Sequence, residues 1–334
     1  MDPLDPSSFN LQNIRLVNGR NYHYCDQTPT QYVHGETPVL LLMHGFPEFW
    51  YEWRYQIGPW TRRGWRVIVP DMLGYGGTDK PDDVSLYTPL SIAADMAGLL
   101  DALNIKQPIA VIGHDWGAIG AWAFATRYTE RVKVLVPVCI PHQPPFPAAL
   151  TVPQLVQFVG PELLGYWLFL SSPEAPAIIN ANMSRLIDLV YRSYTTLCDP
   201  PSVRVGVMEK YLTGELKIDG PSNIMSAEER QYCIKILEAG GIDKPLNYYK
   251  STTYRFEQEQ ELKLNPVLPS TLPILLVAPT AERFATPERI EATRPFVPSM
   301  EVVHPEAAHF VLLEKRDEVT QIIGDWLEKK LKVE

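Results

Sequence analysis

The chain has little of several things, and each shortage narrows its chemistry. Only four of its 334 residues are cysteines, Cys25, Cys139, Cys198 and Cys233, widely spaced and without a Cys-x-x-Cys pair. That spacing argues against a zinc site and a disulfide-stapled scaffold, and the expectation is four reduced thiols. Lys/Arg-rich blocks are missing, and 39 acidic against 30 basic residues give a formal charge of -9. Nucleic acid is therefore a poor partner, and an anionic substrate is mildly disfavoured. No apolar run approaches the roughly 20 residues of a membrane span, and the start, Met1-Asp2-Pro3-Leu4-Asp5-Pro6, lacks the apolar segment of a secretion signal. A cytoplasmic protein is the expectation. Internal repeats and low-complexity tracts are also absent from the sequence.

What remains is 46% hydrophobic and 21% charged, the balance of a soluble globular chain able to bury a large core. Short apolar runs at Pro38–Met43, Trp65–Pro70, Ile109–Ile112 and Lys133–Val138 have the composition of buried parallel strands. Between Thr88 and Leu103 the period changes: Ile92, Met96, Leu99, Leu100 and Leu103 share a helical face, with Thr88-Pro89 at its start. Repeated β-α alternation implies a mostly parallel sheet flanked by helices. The pattern breaks at Pro141-His142-Gln143-Pro144-Pro145-Phe146-Pro147, and from there to about Asn265 the chain is helix-like, without a comparable strand run. Strands resume at Pro273–Val277 and Met300–Val303, and Val319, Ile322, Ile323, Trp326 and Leu327 line one face of a final helix. The expected organisation is a core in two parts, 1–142 and 266–334, with a helical cap at 143–265.

The densest signal lies where Ile109-Ala110-Val111-Ile112 ends in Gly113-His114-Asp115-Trp116-Gly117 and passes into Ala118-Ile119-Gly120-Ala121. This strand, sharp turn and helix resembles the nucleophile elbow of the α/β hydrolases, where small residues flank the nucleophile because neighbouring backbone leaves no room for side chains. Here the nucleophile position holds Asp115 instead of Ser. A hydroxyl attacks acyl carbons; a carboxylate is suited to displacing a leaving group from saturated carbon, leaving an alkyl ester for water to cleave. Epoxides and alkyl halides are the substrates compatible with that chemistry.

Cleaving such an ester needs a base, and His309, in Pro305-Glu306-Ala307-Ala308-His309-Phe310 between the last strand and the last helix, has the placement this fold requires. A lone histidine is more often structural, and it is the Asp115 elbow that raises this one above the other six. Glu282 is the only carboxylate in the loop between Val277 and Pro287, and Val138-Cys139-Ile140-Pro141 offers no alternative acid, so Glu282 is the expected partner of His309. The competing reading of Glu282 is a surface ion-pair partner. His44-Gly45-Phe46-Pro47-Glu48 follows a strand, and backbone N–H groups of Phe46 and Trp116 are the expected oxyanion hole. A cis bond at Phe46-Pro47 fits that tight turn.

Taken together, His44-Gly45-Phe46-Pro47, Asp71-Met72-Leu73-Gly74-Tyr75-Gly76, Gly113-His114-Asp115-Trp116-Gly117 and Ala308-His309 resemble the soluble epoxide hydrolases of the α/β-hydrolase superfamily, across essentially the whole chain. The resemblance implies an α/β-hydrolase fold with an inserted helical cap, hydrolysis of a small hydrophobic epoxide by water to a vicinal diol, and neither cofactor nor metal. It also implies two cap tyrosines that donate hydrogen bonds to the epoxide oxygen. Pro245-Leu246-Asn247-Tyr248-Tyr249-Lys250 is similar to one tyrosine motif and assigns Tyr249; Gly165-Tyr166-Trp167-Leu168-Phe169 is similar to the other and assigns Tyr166. A phenol is neutral at pH 7 and able to donate, which is what an oxygen acquiring alkoxide character needs. Trp50, Trp167, Tyr248 and Phe310 are expected to line an apolar pocket. Two departures from commoner members are Glu282 in place of Asp and Tyr248 in place of Trp. The rival reading is a haloalkane dehalogenase using the same Asp115, although Phe46 stands where a second halide donor is usual. A hydrolase-like module that only binds a hydrophobic ligand is the non-enzymatic alternative.

Overall fold

The computed structural model describes residues 1–199 and 201–331. Eight strands form one sheet: β1 (Leu11–Arg15), β2 (Asn21–Gln27), β3 (Val39–Met43), β4 (Arg66–Pro70), β5 (Ile109–His114), β6 (Val132–Val138), β7 (Ile274–Val277) and β8 (Met300–Val303). Their spatial order is β1-β2-β4-β3-β5-β6-β7-β8, antiparallel across β1, β2 and β4 and parallel from β4 to β8. Strands β3, β4, β5 and β7 are buried at every position, as expected of apolar runs covered on both faces. Helices α1 (Arg54–Arg62), α2 (Pro89–Ala102) and α3 (Trp116–Arg127) pack with the C-terminal helix Arg316–Leu331 around this sheet. On α2 the residues Ile92, Met96, Leu99 and Leu100 are buried, the face that the 3.6-residue spacing marks.

The β1–β2 hairpin carries no comparable apolar run, because β2 reads Asn-Tyr-His-Tyr-Cys-Asp-Gln and β1 lies at the sheet edge. Its anchor is polar. Asp95, fully buried on α2, accepts hydrogen bonds from Arg20 Nε (2.7 Å), Asn18 Nδ2 (2.8 Å) and the Tyr22 hydroxyl (2.8 Å), and Arg20 Nη2 also pairs with it.

The chain divides into two compact units, one made of Met1–Lys80, Pro89–Pro145 and Leu262–Glu334, the other of Pro81–Thr88 and Phe146–Glu261. The second unit is helical, with Val152–Val159, Tyr166–Leu170, Met183–Val190 and Ala227–Gly240 among its helices and a 3-10 turn at Pro245–Lys250. Inside it Arg230 Nε and Nη2 grip Asp188 at 2.7 and 2.6 Å, and Ser226 and Glu229 form a reciprocal cap at the start of Ala227–Gly240. Segment Pro81–Thr88 groups with these helices: Tyr87 meets the Tyr248 ring edge-on at 5.4 Å, and Thr88 donates to Gln258 at 2.5 Å. The cysteines are free thiols. Among the described residues no helix is long and apolar enough to cross a membrane.

Removing Asp95 leaves a guanidinium and a buried phenol facing one another without their acceptor. Asp95→Ala is expected to cost about 3 kcal/mol, measured as a lower urea midpoint. A midpoint equal to the parent's would mean that the hairpin is not held by this carboxylate.

Candidate active site

The turn after β5 is built by close approach. A Cβ on Gly113 would lie 2.2 Å from the Gly117 carbonyl oxygen, one on Gly117 would lie 2.1 Å from that of Met43, and one on Gly45 would lie 2.4 Å from the Asp115 Cβ. Three glycines therefore let β3, β5 and the start of α3 converge on one point. Between them Asp115 takes φ 53° and ψ -121°, a backbone conformation that costs a non-glycine residue of order 1–3 kcal/mol. That turn ends the strand and starts the helix within one residue. Trp116 is the first residue of α3.

Asp115 is buried, and each carboxylate oxygen has its own neighbour. Oδ1 accepts the Phe46 N–H at 2.9 Å, and Oδ2 stands 3.5 Å from His309 Nε2. The other ring nitrogen of His309, Nδ1, donates to Glu282 Oε2 at 2.6 Å. Glu282 is buried, and its second oxygen accepts the Phe284 N–H at 2.8 Å, so its geometry is that of a held carboxylate and not of a mobile surface ion. Phe46-Pro47 is cis. His44 braces that turn, with Nδ1 donating to the Gly45 carbonyl at 2.9 Å and Nε2 accepting the Met72 N–H at 2.8 Å.

Electrostatics sharpen the picture. For Asp115, burial alone would disfavour the carboxylate, but the adjacent His309, the charge of His114 and the Phe46 N–H outweigh it and hold its pKa below the ordinary value. For His309, burial works against the imidazolium, yet the Glu282 charge, the nearby Asp115 and Cys139 and the hydrogen bond to Glu282 push its pKa well above the usual 6.5. Both shifts favour the carboxylate form of Asp115 and the imidazolium form of His309. Buried His44 is shifted the other way, chiefly by desolvation, and its two hydrogen bonds are those of a neutral ring.

The aromatic residues fall into separate settings. Phe310 is buried with its ring 5.1 Å from His309 and 5.7 Å from His114. Trp50 is buried against Phe9 (5.1 Å) and Tyr51 (5.5 Å), and its backbone N–H donates to Asp71. Within the helical unit Tyr166 and Tyr249 face each other edge-on at 5.9 Å, Trp167 meets Tyr249 at 5.2 Å, and Tyr248 meets Tyr87. Four residues with clear placement in the core unit escape motif reading. Glu48 Oε1 binds His114 Nδ1 at 2.6 Å, His114 Nε2 donates to the His309 carbonyl at 2.9 Å, Cys139 Sγ lies 3.1 Å from that same oxygen, and Asp71 takes His23 Nδ1 at 2.7 Å. Each pairing spans a long stretch of sequence, and the positions of Glu48, Asp71 and His114 inside the motifs hinted at a task without naming the partner. The ligand-type atoms of His114, Cys139 and His309 lie within 4.8 Å of one another. Glu48 and Glu282 already occupy the Nδ1 atoms of both rings, so the set has the character of acid-base pairs and not of a cation cage.

Comparison with known proteins agrees with this geometry. The family model described as "alpha/beta hydrolase fold" matches residues 38–171. Over 307 residues the chain is 30% identical to "Epoxide hydrolase 3" of Siraitia grosvenorii, covering 88% of this chain and 93% of that protein. The chain belongs to the epoxide hydrolase family. Mouse (Mus musculus) "Bifunctional epoxide hydrolase 2" is 28% identical over 336 residues, 98% of this chain but 57% of the mouse protein, so the chain spans little more than half the length of that relative. Among solved structures, potato (Solanum tuberosum) epoxide hydrolase I superposes with a TM-score of 0.79 at 28% identity, over 96% of this chain and 99% of the potato chain.

The elbow of this family member depends on the absence of a methyl group at Gly117. Because the Met43 carbonyl is backbone and cannot rotate away, Gly117→Ala is expected to lower stability by about 3 kcal/mol or more. Chemical denaturation measures it; a variant as stable as the parent would mean that the elbow has slack the geometry denies.

Proposed function

We propose that this protein hydrolyses a small hydrophobic epoxide to a vicinal diol through a covalent alkyl ester on Asp115. The observation that carries the reading is the division of labour on that carboxylate: Phe46 N–H holds Oδ1, while Oδ2 is the oxygen not tied to a backbone donor. Oδ2 attacks a ring carbon, the C–O bond of the epoxide breaks, and Tyr166 and Tyr249 of the helical unit hydrogen-bond and protonate the departing oxygen. Their neutral hydroxyls suit that task at pH 7.

In the second half His309, which releases its proton to solvent once the ester has formed and stays oriented by Glu282, takes a proton from water, and the hydroxide attacks Cγ of Asp115. Charge then develops on Oδ1, beside the Phe46 N–H and the N–H of Trp116; one such donor is typically worth ~3 kcal/mol. The diol leaves with one oxygen from Asp115, the carboxylate is regenerated with an oxygen from water, and the proton that His309 took from water restores the tyrosine hydroxyl. The electrostatic order of events supports the sequence of steps. Esterification removes the Asp115 charge, one of the influences that keep His309 protonated, so the ring gives up its proton more readily and is available as a neutral base once there is an ester to hydrolyse.

A carboxylate nucleophile leaves a signature that a directly activated water does not. Single turnover in oxygen-18 water is expected to label the Asp115 carboxylate, and His309→Gln is expected to accumulate an enzyme heavier by the mass of one epoxide. Unlabelled Asp115 would overturn the covalent route, whereas a labelled Asp115 with halide release exceeding diol release, when an aryl epoxide and a haloalkane are compared, would replace this reading by the dehalogenase one.

The tyrosine roles are tested separately. Tyr249→Phe is expected to slow epoxide turnover by about tenfold or more, read as kcat on an aryl epoxide. An unchanged kcat in a folded variant would remove Tyr249 from the reaction.

A further inference from the structure

Beneath Asp115 and His309 lies a buried group of side chains for which the ester mechanism has no use. His114 closes β5 immediately before Asp115, and its two ring nitrogens face Glu48 Oε1 at 2.6 Å and the His309 carbonyl oxygen at 2.9 Å. A carbonyl oxygen only accepts, so Nε2 carries a proton. Glu48 accepts twice: its second oxygen takes the Gly45 N–H at 2.5 Å, which is the behaviour of an ionised carboxylate. With acceptors at both nitrogens His114 is an imidazolium. Its pKa lies well above the ordinary value, the Glu48 charge overcoming the opposing effect of burial.

Glu52 adds a second buried carboxyl to this group. It sits in the 3-10 turn Trp50–Trp53 just downstream of Glu48, is 3% exposed, and its oxygen lies with those of Glu48 and the His114 nitrogen in a set all within 4.8 Å of one another. The charged groups that face it are Glu48, Arg54, His114 and His309. Arg54 is itself buried, with Nη1 donating to the Tyr51 carbonyl at 2.9 Å and its guanidinium over the Tyr51 and Tyr55 rings. Burial first, and the Glu48 charge second, push the Glu52 carboxyl up to about 8 against the pull of Arg54 and the two histidines. At neutral pH it is an uncharged acid.

We propose that Glu52 is a positioning residue for His309: as the neutral acid of the Glu48–Glu52–His114 cluster it keeps a second negative charge from the buried histidines, and once ionised it holds the His309 imidazole in its protonated form. The inference rests on His309 being the base of the proposed reaction. Glu52 touches neither substrate nor the reacting atoms. It acts through the field inside a water-excluded cluster, where a like or unlike charge a few ångströms away moves a titration by a sizeable fraction of a pH unit or more. Both Glu52 and His309 have their pKa raised from the ordinary value, and the loss of a proton by one makes the loss by the other harder.

The experiment is a histidine titration by NMR on the full chain, with the His309 signal assigned by its disappearance in His309→Gln. Glu52→Gln keeps the shape of the side chain and cannot ionise; the His309 midpoint is expected to fall by about half a pH unit or more and to sharpen into a single step. The pH dependence of the ester-hydrolysis rate is expected to move in the same direction. Glu52→Asp, which restores an acid, is expected to return the midpoint toward the parent's, and Glu52→Ser, a smaller variant, serves if the glutamine variant does not fold. In the parent, infrared spectra with isotope-labelled glutamate are expected to show a protonated carboxyl band at pH 7 that fades with a midpoint about 8. An unmoved His309 midpoint in a folded variant, or the absence of that band, overturns the inference while leaving ester formation on Asp115 intact. Parental turnover by His309→Gln would instead sink the base assignment and leave the titration result standing.

Discussion

Everything at this site depends on the convergence of β3, β5 and α3 to distances that exclude a methyl group. Met43 and Gly117 touch backbone to backbone, as do Gly113 and Gly117, and Gly45 lies against Asp115 itself. The cost of that approach is the positive φ of Asp115; what it produces is a carboxylate presented at the end of a buried strand, within 2.9 Å of the Phe46 N–H contributed by a different strand's loop. A longer side chain at any of the three glycines would push one of these elements away. The nucleophile and its hydrogen-bond donor would then separate together, because the same contact positions both. Backbone strain of this kind persists only where the surroundings over-determine it, and here the sheet register of β3 with β5 and the packing of α3 on β5 do so.

The second organising constraint is charge balance without water. Asp115, Glu282 and Glu48 are buried carboxylates, and the half-buried His309 and the buried His114 and Arg54 are the cations beside them. While Glu52 keeps its proton, three negative groups meet three positive ones; its ionisation would leave one charge uncompensated, which is why burial and Glu48 act on it so strongly. The two triads share a wall. His114 holds the His309 carbonyl through Nε2, and the Ala308 N–H donates to Glu314 at 2.7 Å, so the loop carrying the base is fixed by its backbone as well as by its ring.

Those pairings also explain what the sequence disclosed. Strands β3 to β7 and the elbow were legible because burial on both faces leaves an apolar run, and because close backbone approach demands glycine at fixed offsets from Asp115. Glu282 was legible by elimination in a short loop. The β1–β2 hairpin was not, since its anchor is a single carboxylate, Asp95, some seventy positions downstream of Arg20, Asn18 and Tyr22. Segment Pro81–Thr88 lies between core elements in the chain, and its Tyr87–Tyr248 and Thr88–Gln258 pairs, which group it with the helical unit, leave no spacing rule in the sequence. Glu48, Glu52 and His114 carry no periodicity and no spacing rule. Their meaning exists only once β3 and β5 are side by side.

The unequal lengths of the two His309 contacts bear on how one imidazole serves both halves of the proposed reaction. Nδ1 is 2.6 Å from Glu282, a short charge-assisted bond, while Nε2 is 3.5 Å from Asp115, beyond an ordinary hydrogen bond. The ring is therefore oriented by Glu282 and not by the nucleophile. Converting Asp115 to an ester removes charge from the weaker of these two contacts and leaves the stronger untouched, so Nε2 stays aimed at the ester while its affinity for a proton falls. Had the short bond been the one to Asp115, esterification would have released the base at the moment it was needed. Glu282, with its longer arm than Asp, is held for this task by a second bond from the Phe284 N–H at 2.8 Å, which takes up the freedom the extra methylene introduces.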